Sequence, residues 1–242
     1  MRKLKEVEAV IFDKDGTLLD FDSFWVTVSQ KAIEEVISSF GAEKDLAFRV
    51  LETLGVHNGI TDINGVLCKG TYEQIGEIVY SALIENDYEV CRDTVVEAVV
   101  HSYNQNMSVG QIKPTCIDLI DVLEKLKRQN KKLVVVTTDN EQITHKCLQK
   151  LGIDHLFEKI YTDDGTVPPK PNPYAALDFC KNYNIEKEHI VMVGDTLTDI
   201  MFAKNAGIVA IGFAKGEKNS AILKEHTDIV ISEMSQLLDI IK

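Results

Sequence analysis

The sequence predicts an α/β protein with a doubly wound parallel sheet, into which an all-helical domain is inserted. Short apolar runs carry the first part of this prediction, because each is long enough for one buried strand: Ala9–Phe12, Leu133–Val136 and Ile190–Val193. From Lys113 onward such runs alternate with segments of helical periodicity, which is typical of parallel sheets covered on both faces. Residues 21–107 show helical periodicity only, which predicts the insertion.

The inserted region is expected to contain four helices. Apolar residues recur at helical spacing over Phe21–Phe40, which ends before a glycine, and again over Leu46–Leu54. Thr71 and Gln74 match a capping box that opens a third helix. A fourth helix is expected over Tyr88–Asn104, and no convincing strand pattern interrupts the region.

The flanking segments, residues 1–20 and 108–242, are expected to form one α/β core, with the helical domain at residues 21–107. In this core a helix is expected to begin at Pro114 and to turn Ile117 inward. The other expected elements are a strand at Leu133–Val136, a helix ending at Leu151 before Gly152, a strand at Lys159–Tyr161, a helix at Tyr174–Tyr183, strands at Ile190–Val193, Ile208–Ile211 and Asp228–Ile231, and a closing helix at Met234–Ile241.

Composition and charge limit the classes of partner. The chain has 242 residues, of which 45% are hydrophobic and 26% charged, as in globular proteins with a sizeable core. A formal net charge of −12 argues against a nucleic-acid or anionic-membrane surface. The five cysteines are scattered, and no apolar run suits a signal peptide or a membrane span. We therefore expect a soluble cytoplasmic protein with reduced thiols.

Polar residues follow several strands at their carboxyl ends, where open parallel sheets place their ligands. Alone, the string Asp13-Lys14-Asp15-Gly16 is also compatible with a surface turn. An EF-hand loop is disfavoured, because Leu18 and Phe24 stand where that loop needs Gly and Glu. The residues expected to meet in one cleft are Asp13, Asp15, Thr137, Lys170, Asp195 and Asp199.

Such a group of carboxylates predicts a metal site. Carboxylates in one cleft repel each other, and burial strengthens the repulsion, so a divalent cation is needed to neutralise them. Oxygen ligands without a nearby His or Cys favour Mg²⁺ over Zn²⁺. The hydroxyl of Thr137 and the ammonium of Lys170 suit the oxygens of a bound phosphoryl group.

Four segments resemble, in the same order, the four motifs of the haloacid dehalogenase (HAD) superfamily. They are Asp13–Leu18, Thr137 after its apolar strand, Lys170 in Lys-Pro-Asn-Pro, and Gly194–Asp199. The resemblance implies a Rossmann-like core. Within the superfamily the chain is similar to the phosphoglycolate phosphatase-like group, whose helical cap is inserted after the first motif. This similarity implies that the substrate is a small phosphorylated metabolite. We expect the protein to be a monomer or a homodimer.

The resemblance also implies a role for each matching residue. Asp13 would attack phosphorus and form an aspartyl-phosphate, while Asp15 would protonate the leaving oxygen and later activate water. The main-chain carbonyl of Asp15 would join the metal ligands, and Asp199 would support them from outside the first coordination shell. The implied catalytic residues are Asp13, Asp15, Thr137 and Lys170, and the implied metal ligands are Asp13, Asp15, Asp195 and Asp199.

Several alternatives stay open at this point. The preferred hypothesis is a Mg²⁺-dependent phosphatase for phosphoglycolate or a sugar phosphate; the others are a β-phosphoglucomutase-type mutase and a non-catalytic regulatory binding protein. An acid at Asp15 disfavours phosphonate cleavage and dehalogenation. Thr138 stands where relatives often carry Asn, which leaves the local substrate contacts open. The cap loop with His57 and Lys69 fits a solvated surface as well as a substrate contact.

Overall fold

The structure is a computed structural model that describes Leu4 and residues 6–241. The chain forms two compact units. One consists of Met1–Asp20 with Ile112–Lys242 and is called the core unit below. The other consists of Phe21–Gln111 and is called the helical unit. The chain therefore leaves the core unit once, after its first strand, and returns to it once.

The second boundary between the units lies at Gln111 instead of residue 107. The Gln111 N–H donates a hydrogen bond to the Ser23 carbonyl oxygen at 3.1 Å. The backbone at Gly110 lies so close to the Phe24 ring that a Cβ atom there would meet it at 2.4 Å. These contacts hold the end of the segment to the start of the helical unit.

The helical unit follows the first core strand, β1 (Ala9–Phe12), and opens with a π-helical turn. The predicted capping box is present: the Gln74 N–H donates to Thr71 Oγ1, and the Thr71 N–H donates to the Gln74 side chain. A hairpin with two residues in each strand and a one-turn helix lie between the second and third predicted helices. The sequence pattern predicts neither of them. The elements are α1 (Thr27–Ser39), α2 (Lys44–Thr53), β2 (Val56–His57), β3 (Ile60–Thr61), α3 (Val66–Lys69), α4 (Tyr72–Glu85) and α5 (Arg92–Asn106).

The core unit continues with alternating helices and strands. Its first helix begins at Leu119 and not at Pro114, because the Thr115 N–H bonds to the Leu18 carbonyl and holds this stretch extended. Ile117, expected to be buried, is consequently exposed. Among the described residues, no helix is long and apolar enough to cross a bilayer. The elements are α6 (Leu119–Arg128), β4 (Lys132–Val136), α7 (Glu141–Leu151), β5 (Lys159–Tyr161), α8 (Tyr174–Tyr183), β6 (Ile190–Gly194), α9 (Leu197–Ala206), β7 (Val209–Phe213), α10 (Glu217–Lys224), β8 (Val230–Ile231) and α11 (Leu237–Ile240).

Six strands of the described chain form a parallel sheet in the order β5-β4-β1-β6-β7-β8. The first strand thus lies in the middle, between β4 and β6. Its last residue, Phe12, is level with Val135 of β4 and Val193 of β6. One residue further along, Asp13 leaves the sheet beside the ends of both neighbours. The polar residues that follow β1, β4 and β6 therefore meet at one edge of the sheet.

Both faces of the central strands are buried. Every residue of β1 and β6 is buried, and successive side chains of a strand point to opposite faces. On one face Ile11 packs in a cluster with Phe179 of α8 and Phe202 of α9. On the other, the Phe12 ring meets the Phe157 ring edge to face, with 6.5 Å between centroids. The prediction of a parallel sheet covered on both sides is confirmed.

Candidate active site

The site is built around Asp13, the first residue after the central strand. Its N–H donates to the Val193 carbonyl oxygen at 2.9 Å, which continues the sheet ladder and fixes the backbone. Lys170 Nζ lies 2.5 Å from Asp13 Oδ1 and 2.6 Å from Asp199 Oδ1. All three side chains are buried. One lysine from the loop before α8 therefore joins the end of β1 to the first turn of the helix at Leu197–Ala206.

Asp199 is held from two sides. As the third residue of α9 it forms a capping box with Thr196, whose N–H and hydroxyl both donate to Asp199 Oδ2, at 3.0 and 2.6 Å. Its other oxygen accepts from Lys170. The backbone of Gly194 also approaches it closely, since a Cβ atom at Gly194 would lie 2.3 Å from the Asp199 Cβ. Asp199 therefore caps a helix and positions Lys170 at the same time.

Asp195 sits against the turn that follows β1. The Thr17 hydroxyl donates to Asp195 Oδ1 at 3.0 Å. Gly16 has a φ of +81°, and a Cβ atom there would lie 2.1 Å from Asp195 Oδ2. The Asp13–Leu18 segment thus accommodates the Asp195 side chain in two ways. Thr17 donates a hydrogen bond to it, and Gly16 leaves room for it because it has no side chain.

Asp13, Asp195 and Asp199 offer carboxylate oxygens that all lie within 4.8 Å of one another. Burial raises the pKa of Asp13 to about 7, although the attraction of Lys170 opposes the shift. Burial, together with repulsion from Asp13 and Asp199, raises the pKa of Asp195 well above its ordinary value. The pKa of Lys170 is also raised, because the attraction of the two acids outweighs the effect of burial. The cluster thus holds more negative charge than Lys170 neutralises.

A divalent cation fits this donor set. The side chains of the cluster present only oxygen atoms, which suits Mg²⁺ and does not suit metals that prefer nitrogen or sulfur ligands. The raised pKa values of Asp13 and Asp195 indicate that negative charge is disfavoured there, and a bound cation removes that penalty. A cation at the cluster would be held by Asp13 and Asp195. Both oxygens of Asp199 are already engaged by Lys170 and Thr196, which favours a supporting role for it.

Thr137 lies at the end of β4 and is buried. Its N–H donates to the Tyr161 carbonyl oxygen at 3.0 Å, and its Oγ1 accepts from the Asp139 N–H at 3.2 Å. The N-cap of α7 is Asn140, so Thr137 does not cap that helix. A hydroxyl that accepts through its oxygen keeps its proton for donation to another group. Thr137 can therefore serve as a donor at the sheet edge.

Asp15 does not belong to the acid cluster but forms an ion pair with a buried lysine. Lys14 Nζ lies 2.6 Å from Asp15 Oδ2 and 3.1 Å from Asp139 Oδ2. Burial alone would lower the pKa of Lys14, but the attraction of Asp15 and Asp139 outweighs it and raises that pKa. The sequence alone assigns no role to Lys14 or to Asp139. The signal that could have identified Lys14 is a lysine two residues after a buried strand, because a charge in that position needs a partner.

The loop that contains His57 and Lys69 lies in the helical unit. His57 of β2 is exposed. Lys69, at the end of α3, donates to the Asn64 side chain at 2.6 Å. The β2–β3 hairpin is tied down by Asp22, whose Oδ1 accepts from the Thr61 N–H and hydroxyl at 3.0 and 2.7 Å.

A family model described as haloacid dehalogenase-like hydrolase matches residues 7–207. The chain belongs to this family. The matched range contains every site residue discussed above, from Asp13 to Asp199. The predicted superfamily and the prediction of a hydrolytic enzyme are confirmed.

Individual relatives of this HAD hydrolase carry two kinds of name. The chain is 25% identical over 239 residues to pyrophosphatase PpaX of Oceanobacillus iheyensis, covering 97% of each chain. It is 26% identical over 230 residues to phosphoglycolate phosphatase 1 of Pseudomonas aeruginosa, covering 95% of this chain and 78% of the relative. Both likenesses span the core unit and the helical unit.

Solved structures confirm the fold. A predicted phosphoglycolate phosphatase from Haemophilus somnus aligns with a TM-score of 0.72 at 21% identity, covering 97% of this chain and 98% of the other. A Thermotoga maritima protein provisionally named β-phosphoglucomutase aligns with a TM-score of 0.67 at 22% identity, covering 96% and 98%. At 21–22% identity these alignments support the fold and nothing further.

The Gly16→Ala substitution should disable the acid cluster of this HAD hydrolase. The added Cβ would collide with the Asp195 carboxylate, so Asp195 must move. We expect the Mg²⁺-induced rise in melting temperature to be lost. The control is Gly152→Ala, at a φ of +72° with nothing within 4 Å of the new Cβ. The control should cost about 1–2 kcal/mol in urea unfolding, for the left-handed backbone alone, and keep the Mg²⁺ response. Identical behaviour of the two variants would contradict this account.

The Asp195→Asn substitution should separate stability from metal binding. Without metal the variant should melt at the same temperature as the wild type or higher, because a disfavoured buried charge is removed. Each kcal/mol gained in the free energy of unfolding should raise the melting temperature by about 2–4 °C. Saturating Mg²⁺, at about 100 times its Kd, should stabilise the wild type by about 2.7 kcal/mol and the variant by much less. Calorimetry with EDTA and with Mg²⁺ measures both.

The matched control for that experiment is Asp178→Asn, which changes a carboxylate of the same unit that accepts from the Tyr161 hydroxyl. It should keep the full Mg²⁺ response. An Asp195→Asn variant that is strongly destabilised without metal, or that responds to Mg²⁺ as the wild type does, would refute the assignment of Asp195.

Proposed function

We propose that this HAD hydrolase is a Mg²⁺-dependent phosphatase that cleaves a small phosphomonoester through an aspartyl-phosphate on Asp13. The observation that carries the proposal is the buried 2.5 Å contact between Lys170 and Asp13, beside a cluster of carboxylates at the end of the central strand. The names of the relatives, phosphoglycolate phosphatase and pyrophosphatase, support phosphoryl chemistry.

In the first step, Asp13 attacks phosphorus through one carboxylate oxygen, and the bond from phosphorus to the leaving oxygen breaks. Lys170 fixes the other oxygen of Asp13, which orients the nucleophile. Asp15 gives a proton to the leaving oxygen, so that an alcohol departs. The Thr137 hydroxyl donates to a phosphoryl oxygen.

In the second step, water attacks the phosphorus of the aspartyl-phosphate and the bond to the Asp13 oxygen breaks. Asp15, now a carboxylate, takes a proton from the attacking water, which returns it to the form needed for the next cycle. Inorganic phosphate leaves, and Asp13 is regenerated. The two acids thus have separate tasks, as nucleophile and as proton carrier.

Charge has to be balanced throughout, because phosphoryl oxygens enter a site that is already acidic. A Mg²⁺ ion held by Asp13 and Asp195, with Asp199 in support, would supply positive charge that offsets the charge of the acids and of the phosphoryl oxygens. Lys170, held by Asp13 and Asp199, contributes a fixed positive charge from the chain itself. Removing a donor that stabilises transition-state charge typically costs about 10²–10³ in rate.

The names of the relatives support two candidates for the substrate. Phosphoglycolate is the first candidate, and inorganic pyrophosphate is the second, because a pyrophosphatase matches the chain over almost its full length. An assay of phosphate release should compare phosphoglycolate, pyrophosphate, sugar phosphates and p-nitrophenyl phosphate. We expect activity that is lost with EDTA and returns with Mg²⁺. Accumulation of a sugar bisphosphate without free phosphate would favour a mutase instead, and inactivity on every compound would favour a binding protein.

The Asp13→Asn substitution should lower kcat by about 10⁴-fold or more while leaving the circular dichroism spectrum unchanged, because the nucleophile is lost but the amide oxygen still accepts from Lys170. Wild type quenched in acid during turnover should carry phosphate on the peptide that contains Asp13, detected by mass spectrometry. The control is again Asp178→Asn, which should retain activity. Near-normal turnover by Asp13→Asn would remove Asp13 from its proposed role.

A further inference from the structure

Lys14 is a buried charged residue at the sheet edge that takes no part in the proposed steps. It stands between the nucleophile and the proton carrier in sequence, and its side chain is completely buried. A buried ammonium is expensive unless acids compensate it. Lys14 has two, Asp15 Oδ2 at 2.6 Å and Asp139 Oδ2 at 3.1 Å.

Asp139 is a fixed anchor for this lysine. Its N–H donates to Thr137 Oγ1, its Oδ1 accepts from the Asn140 N–H at 3.0 Å, and its carbonyl oxygen accepts from the Asp163 N–H at 2.9 Å. These bonds tie Asp139 to the turn after β4. The Lys14 ammonium therefore connects that turn to the segment after β1.

The two buried lysines of the site divide the acids between them. Lys170 lies between Asp13 and Asp199, and Lys14 lies between Asp15 and Asp139. The Asp15 side chain accordingly stands outside the cluster that suits a cation. A proton carrier drawn into that cluster would be a metal ligand and would no longer reach the leaving group.

We propose that Lys14 and Asp139 form a buried clamp that positions the Asp15 carboxylate at the leaving-group oxygen. The proposal rests on the phosphatase function argued above. Lys14 and Asp139 are positioning residues, because they act through Asp15 and do not touch the substrate. A displacement of about 1 Å in such a group is enough to cost roughly 10²-fold in rate.

The effect of the clamp on the rate should depend on the leaving group of the substrate. Protonation by Asp15 matters when the leaving oxygen is a poor leaving group, as in an alkyl phosphate, and matters little for the good leaving group of p-nitrophenyl phosphate. The value of kcat/KM reports steps up to the formation of the aspartyl-phosphate, so the later hydrolysis does not enter. Loss of the clamp should therefore reduce kcat/KM selectively for the alkyl ester.

The experiment compares kcat/KM for phosphoglycolate, or the best alkyl phosphate of the panel, with kcat/KM for p-nitrophenyl phosphate. For Lys14→Met we expect a fall of about 10²-fold with the alkyl ester and less than about 10-fold with the aryl ester. Asp139→Asn should change the ratio in the same direction, and it remains measurable if Lys14→Met does not fold. In an Asp15→Asn background, Lys14→Met should leave the ratio unchanged, because the residue through which it acts is gone.

A matched control is Lys131→Met, which removes another lysine of the core unit whose ammonium donates to the Val7 carbonyl oxygen at 2.7 Å. Lys131→Met should lower kcat/KM for the alkyl ester and for the aryl ester by the same factor or leave both unchanged. The clamp is refuted if Lys14→Met and Asp139→Asn slow both esters by the same factor, or leave both rates unchanged. It is also refuted if Lys14→Met shifts the ratio equally in the Asp15→Asn background. A wild type inactive on both esters overturns the phosphatase function and the clamp together.

Discussion

The contact on which the rest of the site depends is the one between Lys170 and its two acids. Three charged side chains are buried together, and the Lys170 ammonium compensates both carboxylates. Removing one partner from such a group typically costs about 3–5 kcal/mol, because a buried charge is left alone. The Lys170 ammonium also sets the position of Asp13, which extends from the middle strand of the sheet. Stability and chemistry are therefore coupled at this edge.

The acids of the site are divided between two lysine side chains, Lys14 and Lys170. Asp13 and Asp15 are separated by one residue, yet their side chains face different lysines and differ in whether they join the acid cluster. Nothing in the backbone spacing alone requires this division. It arises because two further acids fix the two lysines: Asp139, in the turn after β4, pairs with Lys14, and Asp199, in the first turn of α9, pairs with Lys170.

Most of the fold could be predicted, because apolar strands and helical stripes are local signals. The run Ala9–Phe12 and the capping box at Thr71 are examples. The extended course of Pro114–Thr115 could not, because it depends on a hydrogen bond to the distant Leu18. The site residues were found by their positions at strand ends. Lys14 was missed because the meaning of a charged residue depends on its partner, and Asp139 lies far away in sequence.

The central place of β1 also affects how the protein is made. Its two sheet neighbours, β4 and β6, are synthesised only after the whole helical unit has emerged. Until then a wholly apolar strand has both edges unpaired, and such strands invite association with other chains. The pairings that finally cover it are long-range, which slows folding. The same topology that gathers the site from distant segments thus leaves an apolar strand unpaired in the nascent chain until β4 has been made.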